Sequence, residues 1–258
     1  ITPNAAKSLA QHALSSNPFS GQLFDGEILH ATGLGTNVPL SKLNGGRPFV
    51  LLDACEETPT VDAVNFPNEE AERAAMQHLI DRGCRNIAIV GHRFAPRADL
   101  AHAQNAFALR LRGACGALSD AGLPYDESIA FEAGDVANGI IAGHAIAERI
   151  LAARSGHGGT EFDGACCAND FAAFGVIRGL ADRGLRVPQD VKVIGFDGVT
   201  SGSYTTPALS TIQVDFTQLA KFSVDMLSER IDHGTDEALP PRRAIIGYQL
   251  VDRESTAV

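Results

Sequence analysis

Apolar residues follow two rhythms along this chain. Compact apolar runs bounded by glycine, proline, aspartate or asparagine predict strands, and stretches with apolar residues three and four apart predict helices. The first rhythm marks strands over Phe24–Leu29, Pro48–Leu52 and Asp62–Phe66. The second then predicts a helix over Asn68–Arg82, where Ala71, Ala74, Ala75 and Leu79 recur at helical spacing. Asn68 fits an N-cap there, Glu69, Glu70 and Glu72 suit the positive end of the helix dipole, and Gly83 suits the stop.

From this point the rhythms alternate. A strand is predicted over Asn86–Gly91, a helix over about Asn105–Ala121, a strand over Ile129–Ala133 and a helix over about Asn138–Ala153. Strand Gly164–Ala168, helix Phe171–Arg183 and strand Val191–Phe196 follow. An extended segment at Leu209–Val214, a helix over Phe216–His233 and a strand over Ala244–Leu250 complete the series, with Gly156–Gly159 and Thr235–Pro241 as surface loops. Such alternation forces right-handed crossovers, so the fold class is α/β with doubly wound parallel sheets covered on both faces. The chain opens on a helix-like segment, Asn4–Ser16, with no strand ahead of it, and the first lobe is expected to be truncated at its N-terminus.

The 258 residues leave room for one large α/β domain or two lobes of ordinary size. Hydrophobic residues at 45% and charged ones at 20% supply a proper core under a soluble surface. No stretch is long enough to span a bilayer and no signal peptide is visible, which points to a cytoplasmic protein. The net charge of −10 would repel phosphate backbones, so contact with nucleic acid would have to come from another segment. The five cysteines, Cys55, Cys84, Cys115, Cys166 and Cys167, lack the spacing of a disulfide framework or a zinc site. They read as reduced thiols, with a redox-sensing thiol as the alternative.

Open parallel sheets bind ligands beyond the carboxyl ends of their strands. Asp53 follows Phe49–Leu52, His92 and Arg93 follow Ile87–Gly91, Asn169 and Asp170 follow Cys166–Ala168, and Asp197 follows Val193–Phe196. Asparagine, aspartate and arginine suit sugars, because each engages two adjacent hydroxyls. Taken singly, each has a plainer explanation: Asn169 or Asp170 as a helix cap, Asp53 and Asp197 as turn residues, His92 as a loop histidine. Their convergence on one sheet edge favours binding. No nucleophile elbow, phosphate-cradling loop or metal-binding helix occurs, and Gly33–Leu34–Gly35 lacks the third glycine of a dinucleotide fingerprint. No catalytic residue, cofactor or metal is expected.

Several runs carry a resemblance. Phe162–Gly175, with Asn169 and Asp170 at its centre, resembles the effector-domain signature of the lactose/galactose repressor (LacI/GalR) family of transcriptional regulators. The stretch Gly184–Asp197, through Val187–Pro188–Gln189–Asp190–Val191, and the segment Thr206–Ile212 are similar to further hallmarks of that family. So are His78–Ala88 and the ending Leu250–Thr256, and the resemblance runs from about Phe24 onward. It implies a periplasmic-binding-protein-like pair of lobes joined by crossover strands: residues 1–66 with 214–239, and 67–213 with 240–258. It also implies a small effector, a sugar or nucleobase, held between the lobes.

Carried over position by position, the effector-holding residues are Asp53, Arg110, Asn169 and Asp197, with Arg110 in the Arg110–Leu111–Arg112–Gly113 motif and Arg112 facing solvent. Phe66 and Phe216 match crossover positions that pack against a sugar's apolar face or form ordinary interlobe core. Gly198 stands where many members have a second acidic residue, and Val214 replaces a polar one. The resemblance implies a homodimer that reaches operator DNA through an N-terminal helix-turn-helix with no counterpart in these residues. A transporter's sugar-binding protein is the main rival reading, and an enzyme on the same fold is the third.

Overall fold

The computed structural model describes residues 25–31, 47–55, 60–103, 105–233 and 239–257. The expectations for Asn4–Ser16 and Gly33–Gly35, and most of the Thr235–Pro241 loop, lie outside them. The chain divides into two compact units: residues 1–66, 104–106 and 215–247 form the first, and 67–103, 107–214 and 248–258 the second.

The first unit carries a parallel sheet of order β1-β2-β3-β9, made of β1 (Glu27–His30), β2 (Phe49–Leu52), β3 (Ala63–Asn65) and β9 (Arg243–Ile245). Helix α6 (Phe216–His233) packs on it through Leu219 and Ser223. Gly26 lets that helix approach, since a Cβ there would sit 2.7 Å from a Leu227 methyl. Asp62, just before β3, locks the arrangement. Its fully buried carboxylate accepts two hydrogen bonds from the Arg230 guanidinium, both at 2.9 Å, and further ones from the Arg242 backbone (2.8 Å) and side chain (3.1 Å).

The second unit carries a six-stranded sheet of order β10-β8-β7-β6-β4-β5. Its strands are β4 (Ile87–Val90), β5 (Ala130–Phe131), β6 (Gly164–Cys167), β7 (Lys192–Asp197), β8 (Ser210–Val214) and β10 (Tyr248–Val251). Every residue of β4 and β6 is buried, as a parallel sheet covered on both faces requires. Its helices are α1 (Asn68–Asp81), the single turn α2 (Arg97–Leu100), α3 (Ala106–Asp120), α4 (Val136–Arg154) and α5 (Asp170–Asp182). Helices α4 and α5 touch backbone to backbone: a Cβ on Gly175 would lie 2.3 Å from the Val136 carbonyl oxygen, so only glycine fits there.

Three features depart from the sequence pattern. The run expected as one strand over Ala244–Leu250 is two strands in two sheets, β9 parallel to β3 and β10 antiparallel to β8. The break falls at Ile246–Gly247, where the Ile246 N–H donates to Asn65 and the Gly247 carbonyl accepts from Asp215. Residues 240–247 therefore group with the first unit rather than with the second lobe, and the second sheet is not wholly parallel. The turn α2 also interrupts what read as a plain loop after β4.

Candidate functional site

Three of the sequence-predicted residues meet at the strand tips of the second unit. Arg110 sits one turn into α3, and its side chain is 10% exposed. Its Nε donates to Asn68 Oδ1 at 2.8 Å, and Nη1 donates to the Ala168 carbonyl, just past β6, at 2.5 Å. The guanidinium carbon lies 3.7 Å from the centre of the Phe196 ring, a close cation–π stack. At the end of β7, Asp197 Oδ1 lies 3.8 Å from the same Nη1. That separation is an ion pair without a hydrogen bond, and 28% of the Asp197 side chain is open to solvent.

Asp197 and Asp53 share a second property. Among the described residues they are the two non-glycine residues with positive φ, at 110° and 59°. Such conformations cost on the order of 1–3 kcal/mol and gather at binding sites, where the surrounding structure enforces them. Gly198 follows Asp197 with φ 78°, and a Cβ there would lie 2.6 Å from Gln213. A second acidic side chain at this position does not fit, which explains the glycine. Val214, the other departure, is buried apolar filling at the end of β8.

Asn169 caps α5: its Oδ1 accepts from the Ala172 N–H at 2.7 Å, and its Nδ2 donates to the Gly134 carbonyl at 3.3 Å. The cap holds the amide at the tip of β6, so capping and ligand contact are not exclusive. Asp170, read as a cap alternative, is instead fully buried. It accepts from Thr211 Oγ1 at 2.6 Å and from the Val199 N–H at 2.7 Å, bracing the loop that follows Asp197. Burial pushes its carboxyl up to about 6, against the lowering effect of those hydrogen bonds.

In the first unit, Asp53 ends β2 and is nearly buried, with the Cys55 thiol 3.5 Å from its carbonyl oxygen. Phe66 and Phe216 pack edge to face with ring centres 6.1 Å apart, and Phe216 remains about half exposed. An aromatic pair with an exposed ring offers the kind of face on which a sugar's C–H groups stack.

Two sequence expectations need correction. Asn68 is the first residue of α1 and not its cap, because Pro67 precedes it and its side chain is turned to Arg110. Glu72 does not merely complement the helix dipole; it is wholly buried, and His92, in the loop after β4, is buried too. Arg112 faces solvent only in part: its side chain is 31% exposed, and its Nη2 donates to Glu69 Oε2 at 2.5 Å. The signal for Glu72 was present in the sequence, since it lies on the same helical stripe as Ala75, Met76 and Leu79.

All five cysteines are free and buried, and burial drives the Cys166 and Cys167 thiols far above their ordinary range, so they stay protonated and unreactive. Among the described residues no cluster of side chains could hold a metal ion, and no helix is long and apolar enough to cross a membrane. An open cavity of about 630 Å³ lies by Val187, Pro188, Lys192 and Glu254, at the opposite end of β7 from Asp197, and contains none of the site residues.

Comparison with known proteins bears on these observations. Residues 76–256 match the family model of the periplasmic binding protein-like domain. The chain is similar to the HTH-type transcriptional repressor PurR of Aliivibrio fischeri, 30% identical over 208 residues, which is 80% of this chain and 58% of that protein. It thus spans little more than half the length of the curated relatives it matches. A putative transcriptional regulator of the LacI family from Sanguibacter keddieii superposes with a TM-score of 0.75 at 34% identity, covering 91% of this chain and 80% of the other. The complex of the transcriptional regulator CelR with cellobiose superposes with a TM-score of 0.75 at 26% identity, covering 98% of this chain and 71% of the other.

Proposed function

The chain belongs to the periplasmic-binding-protein-like effector domains of the LacI family, and from that premise we propose that it is the sugar-sensing part of a cytoplasmic transcriptional regulator. In the second unit the proposed sugar contacts are Arg110, Asn169 and Asp197; in the first they are Asp53, Phe66 and Phe216. The observation that carries this reading is the state of Arg110. A guanidinium fixed on three sides, by Asn68, Ala168 and Phe196, faces a partly open aspartate it does not hydrogen-bond. Vicinal hydroxyls fit between two such groups, taking N–H bonds from the arginine and giving O–H bonds to the aspartate.

A sugar shifts a regulator between conformations only through its difference in affinity for them. In the whole regulator, a homodimer, that change alters the spacing of DNA-binding heads on the operator. The chain itself catalyses nothing and uses no cofactor. The relatives are named as transcriptional regulators, which favours this reading over a transporter's binding protein.

A thermal-shift screen against cellobiose, other sugars, sugar phosphates and nucleobases tests the proposal. One class of sugar is expected to raise the melting temperature, because a ligand at a hundred times its Kd adds about 2.7 kcal/mol to stability. A nucleobase as sole hit, or no hit at all, would overturn the sugar assignment.

A further inference from the structure

The Asp197 backbone needs something to hold it. A non-glycine residue at φ 110° is strained, and such strain persists only where the surroundings enforce it. The peptide that follows is held fast. The Val199 N–H donates to Asp170 Oδ2 at 2.7 Å, and the Gly198 N–H favours the same ionised carboxyl. Asp170 can anchor this peptide because it is itself fixed. It is fully buried at the first residue of α5, and its Oδ1 accepts from Thr211 Oγ1 at 2.6 Å. Strand β7 leaves room for it at Gly195, the register partner of Thr211, where a Cβ would collide with Asp170 Oδ1. One carboxylate therefore ties α5, β8 and the peptide after Asp197 together at the strand tips.

We propose that Asp170 is a positioning residue for the sugar: ionised, it holds the Gly198–Val199 peptide and with it Asp197, and protonated, it slackens that hold and weakens the grip. The proposal rests on the role given above to Asp197 in sugar binding. Asp170 itself is buried and touches no ligand.

Both charge states fit the fold. The ionised carboxyl accepts on both oxygens, and its bond from the Val199 N–H is charge-assisted, about twice as strong as a neutral one. A proton taken from solvent goes to Oδ1. The new O–H donates to Thr211 Oγ1, and the Thr211 hydroxyl turns its own hydrogen to the Ile212 carbonyl, 3.3 Å away. No polar group is orphaned, but the Val199 bond becomes a neutral one. The loop stays folded and its hold on Asp197 loosens. Burial pushes the Asp170 carboxyl up to about 6, which brings this exchange close to neutral pH. The charged and titratable groups acting on the carboxyl are few. Arg253, past β10, favours the ionised form, and the Cys167 thiol of β6 is kept protonated by burial. Strand β8 presents the neutral Thr211 hydroxyl, β7 the backbone of Gly195, and Asp197 adjoins the held peptide.

Two measurements between about pH 5 and about pH 7.5 test the proposal. The first follows the Gly198 and Val199 amide signals by NMR in the isotope-labelled chain without sugar. They are expected to move with a midpoint near the Asp170 value of about 6, and to stay still in Asp170→Asn. The second titrates the sugar giving the largest shift in the thermal screen into both chains by calorimetry. Affinity of the unmutated chain should fall about three- to tenfold as pH drops through that midpoint. Asp170→Asn, whose amide reproduces the bonding of the protonated acid, should bind at the weaker level throughout. A purely structural role would lower affinity without this pH profile. An asparagine variant that binds as tightly as the unmutated chain at the upper pH overturns the proposal, as does one that keeps the fall. An unmutated chain with equal affinity at both ends of the range overturns it too. If Asp170→Asn fails to fold, the unmutated chain decides: a common midpoint for amides and affinity supports the tie, and separate midpoints refute it. If no sugar binds, the sugar reading fails by itself and the amides still decide. Movement with Asp170 then upholds its hold on the loop, and stillness refutes it.

Discussion

Each unit holds an arginine beside an aspartate, and the two pairs are built differently. In the first unit, Arg230 meets Asp62 with two hydrogen bonds of 2.9 Å, Arg242 adds its own, and the carboxylate has no exposure to solvent. In the second, Arg110 is pinned by Asn68, Ala168 and Phe196, but its aspartate stands 3.8 Å away and is partly open. Both pairs carry the same charges. A saturated pair has nothing left to offer a ligand and acts as a staple. A pair at 3.8 Å, with its aspartate partly open to solvent, is the one we propose for sugar hydroxyls. Geometry separates the two roles where residue type cannot.

The largest expected effect tests the staple. Asp62→Ala leaves two guanidinium groups without their shared carboxylate and should cost about 3–5 kcal/mol, read as a lower urea midpoint. Asp197→Ala should cost roughly 1 kcal/mol or less in the same assay. Equal costs would erase the distinction. Burial pushes the Asp62 carboxyl up, but the hydrogen bonds from Arg230 and Arg242 outweigh it and hold the group below its ordinary value of 3.8. The stability it supplies is therefore present above the unfolded value of 3.8 and is lost as pH falls through its lower folded value.

The next effect has the opposite sign. Asp170, braced under the Asp197 loop, is raised to about 6 by burial, so the native state holds its proton more tightly than the unfolded chain does. Between 3.8 and about 6 its contribution to stability falls as pH rises, by roughly 2–3 kcal/mol in all. Asp170→Asn should flatten that part of the stability profile in pH-dependent urea melts. An unchanged profile would show that Asp170 titrates as it does in the unfolded chain.

The smallest effect concerns Asn169. Losing its cap in Asn169→Ala should cost about 1 kcal/mol, whereas Asn169→Ser keeps a capping oxygen and most of the stability. Sugar affinity should fall in both variants. A serine variant with unimpaired affinity would make Asn169 a cap and nothing more.

Much of the fold was legible because its signals are local. The apolar runs of β4, β6 and β7 and the helical stripes of α1, α4 and α5 lie within a few residues of their predicted limits. The break between β9 and β10 was not legible, because Ala244–Leu250 reads as one strand-length run. Only the pairing of its halves with β3 and β8 divides it. Strand-tip position made Asp53 and Asp197 candidates, but it could not foresee their positive φ, which depends on the packing around each turn. Asn68, Glu72 and Asp170 were read as helix-end residues because their composition fits that role. Their partners, Arg110, His92 and Thr211, lie far away in sequence, and no spacing rule connects them.

The central claim is that Arg110 and Asp197 grip a sugar between them. Calorimetric titration of the best sugar from the screen, into the unmutated chain and into Asp197→Ala, tests it most directly. Removing one charged hydrogen-bonding partner should weaken binding by about 1.5–3 kcal/mol, roughly ten- to hundredfold, while the urea midpoint barely moves. An Asp197→Ala chain that binds the sugar as tightly as the unmutated one would contradict the account.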